Sequence, residues 1–157
     1  MFPRLAAVLG PWTSPLHRRA AMLELLRVLG GFEASWHWRE GVDVTNATSV
    51  RNRVGQETGV FQVSYDSLNL DNPATHELRA CVQRYLGAAP SIDGFLAMMK
   101  TNHAFAFEYA ARLLRNNFLW DGPIKRHEVD PWLSRAAVAH FMTLLTDGQE
   151  ASPSSAQ

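Results

Sequence analysis

Phe32-Glu33-Ala34-Ser35-Trp36-His37-Trp38 and, after a polar insert, Gly55-Gln56-Glu57-Thr58-Gly59-Val60-Phe61-Gln62-Val63 carry the reading of this chain. In the first segment a lone acidic residue closes an apolar run at helical spacing. The second alternates weakly and reads as a short strand with a Gly and a Gln. Residues 39–56 are rich in Gly, Asn, Thr, Ser and Arg and read as loop. This layout suits one carboxylic acid held against the floor of a cleft, with a small β element around residues 57–64 as one wall.

Upstream of Glu33, Ser14 can cap a helix and Pro15 suits its first position. Met22, Leu23, Leu25, Leu26, Val28 and Leu29 recur too densely for a surface helix, so residues 15–29 predict a largely buried one. Gly30-Gly31 weakens it, because each glycine costs about 1 kcal/mol relative to alanine. The helix therefore ends there or runs on poorly for one turn to Glu33.

Downstream, Asn72 or Thr75 caps a helix over residues 74–86, which Gly87 ends. Ser91 caps a segment through Met99. Phe105, Phe107, Tyr109, Ala110, Leu113 and Leu114 give a wide apolar face to a helix over residues 103–118. Asp121-Gly122-Pro123 breaks it. Asp130-Pro131 opens the last helix, with Leu133, Val138, Phe141, Met142 and Leu145 as core residues. The small, polar stretch 148–157 is expected to be a flexible tail. The expected fold is mainly α: a single domain over residues 1–147, with a small β element beside the cleft.

Composition narrows the function. The length of 157 residues, 46% hydrophobic and 19% charged, fits one globular domain with a sizeable core. Fifteen basic and fifteen acidic residues balance, which gives no electrostatic case for nucleic acid or an anionic membrane. The single cysteine, Cys81, forms no internal disulfide and falls within an apolar helix pattern. No apolar run approaches the roughly 20 residues that span a bilayer. Residues 1–10 hold only a short apolar patch interrupted by Pro3, so no secretory signal is read there.

Glu33 is the leading candidate for chemistry. An acid that protonates a leaving oxygen must stay neutral near neutral pH, and desolvation disfavours its charged form. Phe32, Trp36 and Trp38 supply apolar surface beside it. A solvated glutamate at a helix end is the plain alternative. Asp43 and Glu57 are possible second carboxylates, since glycoside hydrolysis commonly uses an acid plus a group that attacks the sugar or activates water. Both also suit ordinary turns. Trp36, Trp38, Tyr65 and Trp120 can stack on sugar faces; Trp12 and Trp132 suit helix-end packing. Six histidines are scattered without an HExxH motif, so no metal site is expected. Ser35, His37 and Asp43 lack the G-x-S-x-G turn of a serine hydrolase. No glycine-rich phosphate loop is present.

Glu33, the variable loop and Gly59-Val60-Phe61-Gln62-Val63 resemble the lysozyme-like superfamily, nearest its goose-type lysozymes and lytic transglycosylases. In those proteins a catalytic glutamate closes a buried helix, and a later Gly-Leu-Met/Phe-Gln segment lines the cleft. Lytic transglycosylases usually read Glu-Ser; this chain reads Glu33-Ala34-Ser35. Glu40, Gly41, Asp43, Glu57, Gly59, Phe61, Gln62, Ser64 and Tyr65 keep the pattern of a bacterial and fungal lysozyme-like group. That pattern is Glu-Ser-Ser-Gly-x-x-Cys-Glu-Gly-x-Asp followed by Glu-Ala-Gly-Leu-Phe-Gln-x-Ser-Tyr. Trp36 and Arg39 replace its small residue and its cysteine. Residues 101–116 resemble the family's later helix, with Leu113 where a tyrosine is expected and Tyr109 as its candidate substitute.

The resemblance spans roughly residues 20–145 and implies a glycosidase that cleaves β-1,4 bonds of an amino-sugar glycan, most naturally peptidoglycan. It implies Glu33 as general acid, with Asp43 or Glu57 as the second group. Gln62, Tyr65, Trp36, Ser35 and Tyr109 are then the substrate-binding candidates. No cofactor is implied. A monomer acting at the cell wall, in the periplasm or outside the cell by a non-signal route is expected, with an inhibitor or immunity protein as a compatible partner. Chitin or chitosan as substrate, hydrolysis or transglycosylation, and a non-catalytic glycan-binding or protein-interaction module all stay open.

Overall fold

The computed structural model describes residues 2–41, 52–69, 75–116 and 122–150. Among these the chain is mainly helical, with one small two-stranded antiparallel sheet. The helices are α1 (Phe2–Leu9), α2 (Pro15–Ala34), α3 (Thr75–Leu86), α4 (Ile92–Thr101), α5 (His103–Asn116) and α6 (Arg135–Glu150). The strands are β1 (Glu57–Thr58) and β2 (Val63–Ser64), and 3-10 turns cover Tyr65–Asn69 and Asp130–Trp132. The chain divides into two compact units, Met1–Val28 with Asp121–Gln157, and Leu29–Trp120. The boundary falls inside α2.

In the first unit, α1 forms where the sequence suggested only a broken apolar patch. Pro3 lies in the first turn, where its missing N–H removes no helical bond. Leu5 and Leu9 are buried. Gly10, at φ +101°, closes the helix with its N–H on the Ala6 carbonyl at 2.9 Å. Arg135 donates to the Ala7 and Val8 carbonyls at 2.8 Å each, satisfying part of the last turn. Leu9, Ala20, Ala21 and Val138 form a small core, with Trp12, Leu133, Phe141, Met142 and Leu145 packed against it.

The start of α6 differs from expectation. Asp130-Pro131 opens only the 3-10 turn, and α6 begins at Arg135. Ser134 caps it, its Oγ accepting the Ala137 N–H at 3.3 Å. A capping box would place a Glu or Gln at 137, reaching back to the capping residue's own N–H. Ala137 has no such group. Glu24 of α2 accepts the Ser134 N–H instead, at 2.8 Å on Oε1. Arg27 grips the same carboxylate with two bonds, at 2.7 and 2.9 Å. Residues 148–150, expected in the tail, complete α6; residues 151–157 lie outside the described residues.

In the second unit α5 packs on α3 and α4. Phe95, Phe105 and Tyr109 form its aromatic centre, with ring centroids 5.1–5.7 Å apart. The Ser91 Oγ accepts the Gly94 N–H at 3.0 Å and starts α4 as expected. A chain of alternating charge joins α3 to α5. Arg84 pairs with Glu108, Glu108 with Arg112 at 2.7 Å, Arg112 with Glu77 at 3.6 Å, and Glu77 with Arg115. The helix expected over residues 103–118 is described to Asn116.

Candidate functional site

The second unit begins where α2 runs through Gly30-Gly31 and stops at Ala34. Packing explains why a helix tolerates two adjacent glycines here. A Cβ on Gly30 would lie 3.0 Å from Val60 Cγ2 and 3.6 Å from Phe61 Cε1. A Cβ on Gly31 would lie 2.6–3.0 Å from the Trp36 indole. The glycines cost about 1 kcal/mol each. Burying Val60 and Phe61 against this stretch returns about 1.5–3 kcal/mol each.

Those two residues sit in an unusual place. They form the tip of the β1–β2 hairpin, and hairpin tips are normally polar and exposed. Here the tip is pushed into the protein. Gly59 makes this possible: at φ +72°, its absent Cβ would stand 2.8 Å from the Met99 carbonyl oxygen. The Gly59 carbonyl accepts both the main-chain N–H of Gln62, at 3.1 Å, and its side-chain amide, at 2.8 Å. Phe61 then meets Trp38 and Phe107 edge-on, at 6.4 and 5.3 Å.

Backbone strain gathers at the same place. Four non-glycine residues have positive φ among the described residues, and three of them, Ser35, Trp36 and Gln62, follow Glu33 or close the hairpin. Each costs about 1–3 kcal/mol and persists only where its surroundings enforce it. At the helix end the enforcing bonds are Ser35 N–H to the Gly31 carbonyl, 3.1 Å, and Trp36 N–H to the Gly30 carbonyl, 3.0 Å. Farther along, the Glu40 carbonyl accepts the Gly59 N–H at 3.0 Å and ties this turn to the hairpin.

Glu33 lies in the last turn of α2, three residues after Gly30. Its side chain is half-buried. Glu57 pairs across the ribbon with Ser64, and Thr58 with Val63. Thr58 and Val63 are buried, so Glu57 and Ser64 occupy the half-open face. Phe32 is 42% exposed and Trp36 56% exposed on either side of Glu33 in the sequence. Ser35 is exposed beside them.

Other expected site residues stand elsewhere. Tyr65 is half-buried, stacks edge-on with Phe95 at 5.5 Å and donates its hydroxyl to the Pro90 carbonyl at 3.3 Å. Tyr109 is 0% exposed, and its hydroxyl shares a 2.7 Å hydrogen bond with Ser67. Burial pushes that phenol well above its ordinary range, so it stays neutral. Tyr109 is a core residue here and presents no surface to a ligand. Trp38 is engaged within the protein, one ring face stacked on His103 at 3.7 Å. Asp43 and Trp120 lie outside the described residues.

The sequence reading gave no role to Glu40 or His103. Glu40 joins the helix end to the hairpin through its backbone, and its carboxylate lies 3.6 Å from His37 Nδ1. A backbone bond leaves no trace in residue type, and the His103 stack depends on the meeting of distant segments. Among the described residues no group of three or more His, Cys, Asp or Glu is arranged to hold a metal ion. None of the described helices is long and apolar enough to cross a membrane. Comparison with protein-family models, with curated proteins and with solved structures returned no match to this chain.

Proposed function

We propose that this protein cleaves β-1,4 glycosidic bonds of an amino-sugar glycan, peptidoglycan above all, on a lysozyme-like scaffold. One observation carries the reading: half-buried Glu33 lies in the last turn of α2, between Gly30, which packs on Val60 of the hairpin tip, and the strained Ser35-Trp36 turn. Strain of this kind concentrates at functional sites. The helix end and the hairpin are also the two segments on which the family resemblance rests.

Glu33, protonated, gives its proton to the glycosidic oxygen as positive charge develops on the sugar. A sugar seated over the half-buried carboxyl excludes water, and desolvation favours a neutral acid. The second group is Asp43 or Glu57, orienting a water or stabilising the sugar cation. If neither serves, the substrate's N-acetyl group assists and the product is an anhydro sugar. Gln62 contributes a polar contact from the hairpin, Ser35 and Trp36 contribute contacts at the helix end, and Tyr65 braces the segment after β2 through Phe95 and Pro90. Tyr109 supports the scaffold from the core.

Zymography on purified sacculi tests the proposal. Wild type clears the substrate and Glu33→Gln does not, while both show the same circular dichroism. Clearing by Glu33→Gln at the wild-type rate overturns the acid role. The exposed Phe32 and Trp36 also favour a second reading, a non-catalytic glycan-binding module. Retention on sacculi with no release of reducing ends or anhydro sugars, by wild type as well as the variant, selects that reading.

A further inference from the structure

The chain holds two lysines, and one of them, Lys100, is set into a corner of the second unit. It lies in the last turn of α4 and is half-buried. Its neighbour Met99 is buried, and the Met99 carbonyl oxygen stands 2.8 Å from where a Gly59 Cβ would be. The Gly59 N–H in turn bonds the Glu40 carbonyl at 3.0 Å. Lys100 and Gly41 extend this seam by one residue on each segment: the Lys100 Nζ lies 4.0 Å from where a Gly41 Cβ would be. Polar side chains next to this contact in the sequence are engaged elsewhere. The Thr101 hydroxyl donates to the Ala97 carbonyl at 2.9 Å, the Asn102 Oδ1 accepts the Phe105 N–H at 3.0 Å, and the Glu40 carboxylate lies 3.6 Å from His37. Among the described residues the Lys100 ammonium has no hydrogen bond or ion pair. The C-terminus of α4 favours a cation by about 0.3–1 kcal/mol, yet that holds for a fully exposed lysine too. Partial burial of a charge without a partner is a desolvation cost, and a bound anion is what offsets it.

We infer that Lys100 is a specificity-determining residue that receives a carboxylate carried by the glycan. The inference rests on the glycosidase reading and names its substrate class: an acidic amino-sugar chain rather than neutral chitin. The hairpin tip links the two places, since Gly30 of α2 packs on Val60 and Met99 of α4 on Gly59. The last turns of α2 and α4 therefore border one tip. A glycan is a chain of several sugars, and one ring at Glu33 leaves its neighbours for the second turn. An ammonium on a four-carbon stem suits this task, because it is a compact charge with three rotatable donors and can follow a carboxylate on a flexible substituent. Two sources offer that carboxylate: the lactyl group of a strand without peptides, and the peptide joined to that group in an intact wall. Both present the same chemistry to the ammonium.

The test compares turnover by the full chain, at limiting substrate, on native sacculi and on sacculi whose carboxyl groups have been amidated with carbodiimide and methylamine. Lys100→Met keeps an unbranched stem and removes the charge. It is expected to lower turnover of native sacculi about tenfold, the worth of one charge-assisted hydrogen bond in a half-open site. On amidated sacculi wild type is expected to fall to the level of Lys100→Met, and the variant to lose nothing further. Lys100→Arg keeps most of the wild-type rate, and added salt narrows the gap between wild type and Lys100→Met. Lys125→Met, at the only other lysine, serves as the control and cuts as wild type does. The thermal midpoint of Lys100→Met stays at the wild-type value, because no hydrogen bond among the described residues is lost. Strands stripped of peptide by an amidase identify the source: a Lys100→Met defect kept on them names the lactyl group, and one lost on them names the peptide. Equal rates for wild type and Lys100→Met on native sacculi overturn the inference and leave the acid role of Glu33 standing. A defect of the same size on amidated sacculi overturns it as well, since a merely structural role is blind to the charge of the substrate. Inactivity of the wild type on every one of these substrates removes the glycosidase reading and the inference with it.

Discussion

Helix α2 carries two glutamates with opposite fates. Glu24 is 0% exposed, and both of its oxygens are used by Arg27 and the Ser134 N–H. Glu33 is half-buried at the end of the helix, among strained residues. A buried carboxylate gripped by a guanidinium and a backbone N–H is a fastening: its geometry is fixed. A half-buried carboxyl at a helix end lies close enough to the surface to exchange a proton with a ligand that settles over it. Residue type is identical in the two cases. What separates them is how deeply the fold sets each one.

Substitutions at the two positions should break different properties. Glu33→Gln is expected to have the largest effect, lowering turnover on sacculi about 10²–10⁴-fold, the usual worth of a positioned acid, with the urea midpoint little changed. Gly59→Ala comes next. The positive φ and the 2.8 Å approach to the Met99 carbonyl together are expected to cost about 3 kcal/mol. The loss is read by urea denaturation and is accompanied by lower turnover, because the hairpin tip shifts. Glu24→Ala is expected to cost about 2–3 kcal/mol, toward the lower end for a broken buried pair because the Arg27 side chain is 42% exposed and can turn to water. Glycan binding by Glu24→Ala at a temperature where it stays folded should match wild type. If Glu24→Ala abolishes binding and Glu33→Gln spares turnover, the contrast between the two residues is reversed.

The smallest effect concerns acid. The Glu77 carboxyl is held below its usual range by hydrogen bonds from Asn116 and Arg115. For Glu108 burial pushes upward, but the bonds from Arg84 and Arg112 outweigh it and the net direction is down. A carboxyl depressed in the folded state adds stability that is present above its unfolded value, near pH 4.3. That stability fades as pH falls through the folded value. Thermal midpoints measured downward from pH 5 should therefore decline less steeply in Arg115→Gln than in wild type. The difference is modest because these pairs are largely solvent-exposed.

Much of the architecture was legible without coordinates. Local signals located α3 and α4 to within a residue or two: Thr75 and Ser91 as starts, Gly87 as a stop. The dense apolar run located α2, and residues 57–64 gave the β element. The errors share one cause. α1 was missed because Pro3 reads as a breaker unless its place in the first turn is known. The start of α6 was misplaced because Ser134 lacks a capping partner in its own helix and borrows Glu24. Tyr109 was expected among the ligand contacts, yet its ring sits between Phe95 and Phe105, which only packing could reveal.

The sequence by itself determined the helical class, the approximate ends of most elements and the place of the small β element. These follow from periodicity, caps and turn residues, which act over a few neighbours. Only the tertiary structure decided that Gly30 and Gly31 are contact surfaces rather than a helix stop, that the hairpin tip is buried, and that Glu24 is fastened to Arg27 and the Ser134 N–H. Those outcomes depend on excluded volume and hydrogen-bond partners that come from residues far apart in the chain.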